Sequence, residues 1–253
     1  MRLLTDKTAI ITGASSGIGR AAALLFAGQG ARLVLVARRA NVLEELCDEI
    51  AAAGGHAFAC PGDVCDPACH DAAVAIALKE FGQLDIAFNN AGAVGPIAPL
   101  AAIEPEDWNA VISVNLTAAF LAARAQVPAM TAHGSGSLIF TSSFVGNSVG
   151  LPGMGAYASA KAGLAGLVKS LCADYAHLGI RTNALLPGGT DTPMAGGDEN
   201  KEWAAALHPM RRIAQPEEVA QAALFLASDM ASFVNGSQLW ADGGNGATKV
   251  QAP

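Results

Sequence analysis

A chain of 253 residues that is 52% apolar and 15% charged, with 28 glycines, can bury a large core and is not the composition of a disordered protein. Its net charge of -7 and sequence pI near 5.1 argue against nucleic-acid or acidic-membrane partners and leave a small molecule as the expected ligand.

Asp6 and Lys7 interrupt the short apolar start, so no signal peptide is expected. No uninterrupted apolar run reaches the roughly 18 residues of a membrane span. Five cysteines, an odd number without an export signal, suit reduced thiols, and the expected compartment is the cytoplasm. Residues 7–12 (Lys-Thr-Ala-Ile-Ile-Thr) form a β-branched apolar run that ends in glycine, and a helical pattern follows over 18–29. The same alternation continues with a strand at 32–36, a helix at 41–53, a strand at 57–60, a helix at 67–81 and a strand at 84–89. A helix over 106–132 precedes a strand at 137–141, a helix at 157–177 precedes a strand at 181–186, and 238–241 reads as the last strand. Such alternation predicts an α/β fold, a doubly wound parallel sheet of about seven strands with helices on both faces. No repeat or linker divides the chain, so 1–253 reads as one domain. Residues 188–215, rich in Gly, Pro and charge, are the one long irregular stretch and read as a substrate lid. Cys60, Cys65, Cys69 and His70 crowd together, but their spacing fits no common zinc pair, so no metal is expected.

Two features carry chemistry. Thr12-Gly13-Ala14-Ser15-Ser16-Gly17-Ile18-Gly19 joins the first strand to the first helix, where glycines let the backbone approach a pyrophosphate and the helix N-terminus favours its charge. Tyr157 and Lys161 lie four residues apart on one helical face, so a phenol and an ammonium serve one pocket. A neighbouring cation lowers a phenol's pKa, which makes Tyr157 a candidate proton donor to a carbonyl oxygen.

The T-G-x-x-x-G-x-G turn, Asn89-Asn90-Ala91-Gly92, Ser143 upstream of Tyr157-x-x-x-Lys161, and Pro187-Gly188 occur in that order. Together they resemble the short-chain dehydrogenase/reductase family over nearly the whole chain. The resemblance implies a Rossmann-type sheet, a nicotinamide cofactor and a homotetramer. It implies that Gly13, Ser15, Ser16, Gly17, Ile18 and Gly19 hold the pyrophosphate and adjoining ribose, that Asp63 and Val64 contact the adenine, and that Asn90, Ala91 and Gly92 line the ribose. Read alone, Asp63 could merely cap the helix after Pro67, and Asn89 to Gly92 could be only a structural turn. Pro187, Gly188, Thr190 and Thr192 match the segment that meets the nicotinamide carboxamide and pyrophosphate, with Gly189 where many relatives carry a large apolar residue. Of the catalytic set, Ser143 matches the serine that orients the carbonyl, Tyr157 the acid-base residue, Lys161 its supporting cation, and Asn115 the asparagine that holds a relay water. Ser142 rivals Ser143; Val145-Gly146 favours the latter by restoring an S-x-x-G pattern. Asn115 read alone could mark a local kink in its helix.

The function so implied is hydride transfer between the cofactor and a ketone or secondary alcohol. A non-catalytic dinucleotide-binding sensor or scaffold is the alternative, although it has little reason to keep all four catalytic residue types. An epimerase or dehydratase usually carries a larger C-terminal domain, and here nine residues follow Gly244. At the end of the second strand, Ala37 stands where NAD-using relatives place an acid, and Arg38, with Arg39 as second donor, favours a 2′-phosphate. NADP(H) is therefore expected over NAD(H), which stays possible. Val94, Phe144, Asn147, Leu151, Met154, Met194, Trp203, Leu207 and Met210 are the expected pocket neighbours, mostly apolar.

Overall fold

In a computed structural model that describes residues 2–248, seven short apolar runs form strands: β1 (Thr8–Thr12), β2 (Arg32–Ala37), β3 (His56–Pro61), β4 (Ile86–Asn89), β5 (Gly136–Thr141), β6 (Ile180–Pro187) and β7 (Gln238–Ala241). All six pairings are parallel, and the sheet order is β3-β2-β1-β4-β5-β6-β7. The order reverses between β1 and β4. In an open parallel sheet that switch point opens a crevice at the carboxyl ends of the strands.

Helices α1 (Gly17–Gly28), α2 (Ala40–Ala52), α3 (Pro67–Phe81), α4 (Pro105–Ile112), α5 (Ala118–Thr131), α6 (Gly155–Tyr175), α7 (Asp198–Ala206) and α8 (Pro216–Ala227) complete the fold. Strand residues alternate between two cores. Ile11, Leu33 and Leu35 pack with α1, α2 and α8, whereas Ile10, Val34 and Val36 pack with α3, α5 and α6. A parallel strand must be apolar on both faces to be covered in this way. The ends of the helices follow local chemistry. Asp66 caps α3 by accepting the Ala68 N–H at 2.9 Å, with Pro67 in the first turn and Gly82 in the left-handed conformation at its end. Asp63 is therefore not that cap. It instead accepts the Cys65 N–H at 2.9 Å.

Two expectations change. The helix expected over 106–132 is α4 and α5 joined by a π-helical turn, Ser113–Thr117, with the buried Asn115 inside it. The stretch Pro105–Thr131 is by length and composition apolar enough to cross a membrane, although Glu106, Asp107 and Arg124 interrupt it. Its Ala118, Ala119, Ala122, Ala123, Val127 and Met130 are buried, and all but Ala122 belong to the core that α5 shares with α3 and α6. Residues 188–215 are not irregular throughout. They contain a 3₁₀ turn, Pro193–Ala195, and α7, whose Asp198 and Glu199 suit a helix N-terminus but which buries no residue fully and so has little apolar periodicity to read. The far end of this segment is tied down by a parallel bridge between Thr190 and Ala214.

At the switch point, a reciprocal amide pair holds β4 to α5. Asn89 Nδ2 donates to Gln126 Oε1 at 2.9 Å and Gln126 Nε2 returns a bond to Asn89 Oδ1 at 3.0 Å, both side chains being buried. Each amide then has its burial offset by a partner, and the first residue of Asn89-Asn90-Ala91-Gly92 is fixed in place.

Candidate active site

The turn after β1 depends on close backbone approach. Gly13 and Gly17 adopt φ +69° and +52°, a region that disfavours side chains. A Cβ on Gly19 would fall onto the Gly13 carbonyl, one on Gly13 would meet Asn90 and Ala91 at 3.0–3.2 Å, and one on Gly17 would meet Thr192 Cγ2 at 2.9 Å. Ser16 precedes α1 without a side-chain capping bond, and the first turn of α1 holds no acid. The helix thus presents uncapped N–H groups beside a glycine cradle, which suits a pyrophosphate. Ile18 packs its side chain against the core behind it.

Around the cradle, Arg39 Nη2 donates to Ser15 Oγ at 2.9 Å and to the Ser15 carbonyl at 3.3 Å. Arg38 is exposed beside it and makes no hydrogen bond among the described residues. Ala37, ending β2, brings no carboxylate to this corner. Val64 is buried, and its carbonyl accepts the Nε2–H of the buried His70 at 2.8 Å. His70 thereby anchors the Asp63-Val64 turn, a role that no motif announces. Cys60 and Cys69 are core residues.

The strand ends are laced together by side chains. Thr12 Oγ1 accepts the N–H groups of Asn90 and Ala91 at 2.9 and 3.0 Å, Thr141 Oγ1 donates to Asn90 Oδ1 at 3.1 Å, and Lys161 Nζ donates to the Thr141 carbonyl at 2.7 Å. A Cβ on Gly92 would lie 2.7 Å from Asn115 Oδ1 and 3.3 Å from Lys161 Nζ, so this glycine makes room for both. Asn115 spends its amide on the Ala93 and Val111 carbonyls at 2.8 and 2.9 Å, and accepts the Ala93 N–H at 3.3 Å. The π turn is what lets one side chain in the helix reach the loop after β4.

The two candidate serines separate. Ser142 Oγ donates to the Lys161 carbonyl at 2.8 Å, whereas the Ser143 hydroxyl faces the Tyr157 phenol and accepts the Val145 N–H at 3.1 Å. Asn147, expected in the pocket, braces this loop instead: its amide donates to Ser142 Oγ and the Ser143 carbonyl and accepts from Gln238 at 3.2 Å. Tyr157 lies in an apolar cluster with Val111, Phe144, Val145 and Ala156, flanked by Val94, Trp108, Leu151 and Met154. Met194, Trp203 and Met210 are exposed. Pro187 ends β6 and Gly188, Thr190 and Thr192 follow it, with Thr190 Oγ1 donating to the Gly188 carbonyl at 3.1 Å.

Electrostatics differ from the sequence expectation in one respect. Burial pushes the Tyr157 phenol up, with Ser143 pulling it partly back, so the phenol is not lowered by its lysine here. Lys161 Nζ stands 5.6 Å from the Tyr157 ring centroid, and burial brings the lysine itself down to about 8. Both groups are desolvated together, and the ammonium is spent on the Thr141 carbonyl.

A glycine-lined helix N-terminus at the switch point of a parallel sheet, beside a buried serine, tyrosine and lysine, defines a dinucleotide-dependent oxidoreductase. The chain belongs to the short-chain dehydrogenase/reductase family. Residues 13–245 match a family model described as enoyl-(acyl carrier protein) reductase. The chain is 43% identical over 238 residues to cyclohexanol dehydrogenase of Acinetobacter sp. (strain SE19), covering 94% of each protein. It is 41% identical over 241 residues to cis-4-hydroxycyclohexanecarboxylate dehydrogenase of Sinomonas cyclohexanicum, covering 94% of this chain and 96% of that protein. Among solved structures it is similar to one assigned as an NAD(P)-dependent gluconate 5-dehydrogenase from Beutenbergia cavernae with bound NADP, at TM-score 0.89 and 37% identity, covering 97% of this chain and 98% of the other. This protein is an NAD(P)-dependent oxidoreductase of alcohols and ketones.

The lysine makes a pH prediction. Because its folded pKa, about 8, lies below the 10.5 of an unperturbed lysine, the unfolded chain binds the proton more tightly. The penalty is complete below pH 8 and is relieved as pH rises from 8 to 10.5. Relative to Lys161→Met, the cofactor-free wild type should gain about 3 kcal/mol across that window. Urea midpoints of both proteins at pH 7.5 and 10 read this directly, and parallel shifts in the two would contradict it.

Proposed function

We propose that this protein is an NADP(H)-preferring oxidoreductase that interconverts a ring-borne secondary alcohol of the cyclohexanol type and its ketone. The observation that carries the reading is the buried Ser143, Tyr157 and Lys161 set, walled by an apolar cluster and joined to the phosphate turn by the Lys161–Thr141–Asn90–Thr12 hydrogen bonds. Two relatives bear names that specify a hydroxylated cyclohexane ring, and Val94, Phe144, Leu151 and Met154 would surround such a ring without polar groups left unpaired.

The cofactor's nicotinamide supplies or takes up the hydride. Gly13, Ser15, Ser16, Gly17, Ile18 and Gly19 hold its pyrophosphate side, and the room made by glycines 13, 17, 19 and 92 fits that assignment. Asp63 and Val64 would face the adenine, Asn90, Ala91 and Gly92 the ribose, and Pro187, Gly188, Thr190 and Thr192 the nicotinamide end. In reduction, Tyr157 gives its hydroxyl proton to the ketone oxygen while Ser143 donates a hydrogen bond to the same oxygen. The phenolate left on Tyr157 is reprotonated through Lys161 and the Asn115 region. Residues 188–215 act as the lid of this single catalytic unit, with Trp203 and Met194 as apolar groups that closure would cover. Phe120, Phe233 and Trp240, exposed on α5 and around β7, support a homotetramer, and five free thiols support a cytoplasmic setting.

Three outcomes are expected. Tyr157→Phe should lower turnover of cyclohexanone about 10²- to 10⁴-fold with cofactor binding intact; retention of a tenth of the rate would exclude Tyr157 as the acid. Wild-type kcat/KM should favour NADPH over NADH by about ten- to a hundredfold, and Arg38→Ala should remove most of that preference, because a hydrogen bond to a charged group contributes about 1.5–3 kcal/mol. A preference that moves only in Arg39→Ala would transfer the contact to Arg39. Light scattering should give a mass about four times the chain's 25.5 kDa; a monomer at micromolar concentration would remove the tetramer.

A further inference from the structure

His208 belongs to no motif, yet four segments converge on it. It is 1% exposed. Nδ1 lies 2.6 Å from the Ala204 carbonyl of α7, which can only accept, so Nδ1 carries the proton. Nε2, left with its lone pair, accepts the Gly189 N–H at 3.0 Å. The ring stands edge-on to Phe144, the residue after Ser143, with centroids 5.7 Å apart. Its Cδ2 would be 3.5 Å from a Cβ on Gly243, in the turn that follows β7.

The glycines beside it are cut to fit. A Cβ on Gly188 would reach within 2.5 Å of His208 Nε2, and one on Gly189 would meet Ile213 Cγ2 at 2.9 Å and His208 Cε1 at 3.1 Å. The imidazole thus occupies the space that a side chain at position 188 or 189 would need. Two further bonds fix the same strip of backbone: Ala214 N–H to the Gly189 carbonyl and Asp191 N–H to the Ala214 carbonyl, both at 2.8 Å. Downstream, the methyl of Thr192 packs toward Gly17 of the phosphate turn. The backbone from Gly188 to Thr192 therefore runs from His208 to the cofactor cradle with its path set at both ends.

We propose that His208 is a positioning residue for the nicotinamide end of the cofactor, acting through the Gly189 N–H to set the path of Gly188–Thr192. The inference rests on the cofactor reading above. It also gives the lid segment a root: residues 208–214 hold the Gly188–Thr192 strip, and the Ala204 carbonyl ties the last turn of α7 to the same imidazole.

The test uses direct binding, so it does not depend on turnover. His208→Phe keeps a ring against Phe144 but leaves the Gly189 N–H and Ala204 carbonyl without partners, whereas the amide of His208→Gln can serve both. In fluorescence titrations, His208→Phe should bind NADPH about ten- to a hundredfold more weakly than wild type. Its affinity for 2′-phospho-ADP-ribose, which lacks the nicotinamide, should change less than about threefold, and His208→Gln should recover NADPH binding to within about threefold. Wild-type affinity for NADPH in His208→Phe, or an equal loss of both ligands in a folded protein, would overturn the proposal. If His208→Phe does not fold, His208→Asn decides, since its shorter side chain cannot reach both the Ala204 carbonyl and the Gly189 N–H: selective loss of NADPH supports the role and unchanged binding overturns it. Wild type that binds neither ligand would instead remove the cofactor reading.

Discussion

The structure turns on how closely three strand ends can be brought together at the point where the sheet reverses. Thr12 on β1 accepts two N–H groups from the loop after β4, Asn90 in that loop accepts from Thr141 on β5, and the Thr141 carbonyl accepts from Lys161 on α6. These bonds need the backbones almost in contact, and the side-chain-free faces of Gly13, Gly19 and Gly92 permit it. A single path of hydrogen bonds thus links the phosphate turn to the helix that carries Tyr157. Buried hydrogen bonds of this kind each add only about 1 kcal/mol net, but leaving one partner unsatisfied costs more, so the set tends to hold or fail together.

Burial governs the chemistry of the same place. Tyr157 and Lys161 are both withdrawn from water, which disfavours phenolate and ammonium alike and keeps the proton on the phenol oxygen, where a carbonyl can take it. The apolar cluster around Tyr157 contributes to that desolvation. Depth of burial, not the helical spacing alone, therefore sets the protonation of the pair.

Much of this was legible in the chain. The strand and helix alternation gave the sheet because parallel strands buried on both faces leave apolar runs that end abruptly in glycine, as at Thr12-Gly13. The glycine turn and the Tyr157-Lys161 spacing were legible for the same reason: backbone contact and a shared helical face each demand specific residues at fixed offsets. What escaped depends on contacts distant in sequence. Asn115 in a helix hinted at a kink, but the π turn follows from its bonds to Ala93, 22 residues away. Helix α7 buries little and so left no periodicity. Ser142 and Ser143 differ only in which way a loop turns them, and His208 looks like any loop histidine until Gly189, 19 residues earlier, is placed against it. The raised phenol pKa also needed the fold, since spacing gives proximity to a cation but not depth of burial.

The coupling of a bound dinucleotide to a carbonyl held at Tyr157 is tested most directly by following the hydride itself. NADPH carrying deuterium at the transferring position of the nicotinamide ring is incubated with the protein and cyclohexanone, and the alcohol is analysed by mass spectrometry. The arrangement of phosphate turn, Ser143, Tyr157 and Lys161 predicts one deuterium on the carbinol carbon of each cyclohexanol formed. Cofactor that binds but passes no deuterium to cyclohexanone or any other ring ketone would contradict it.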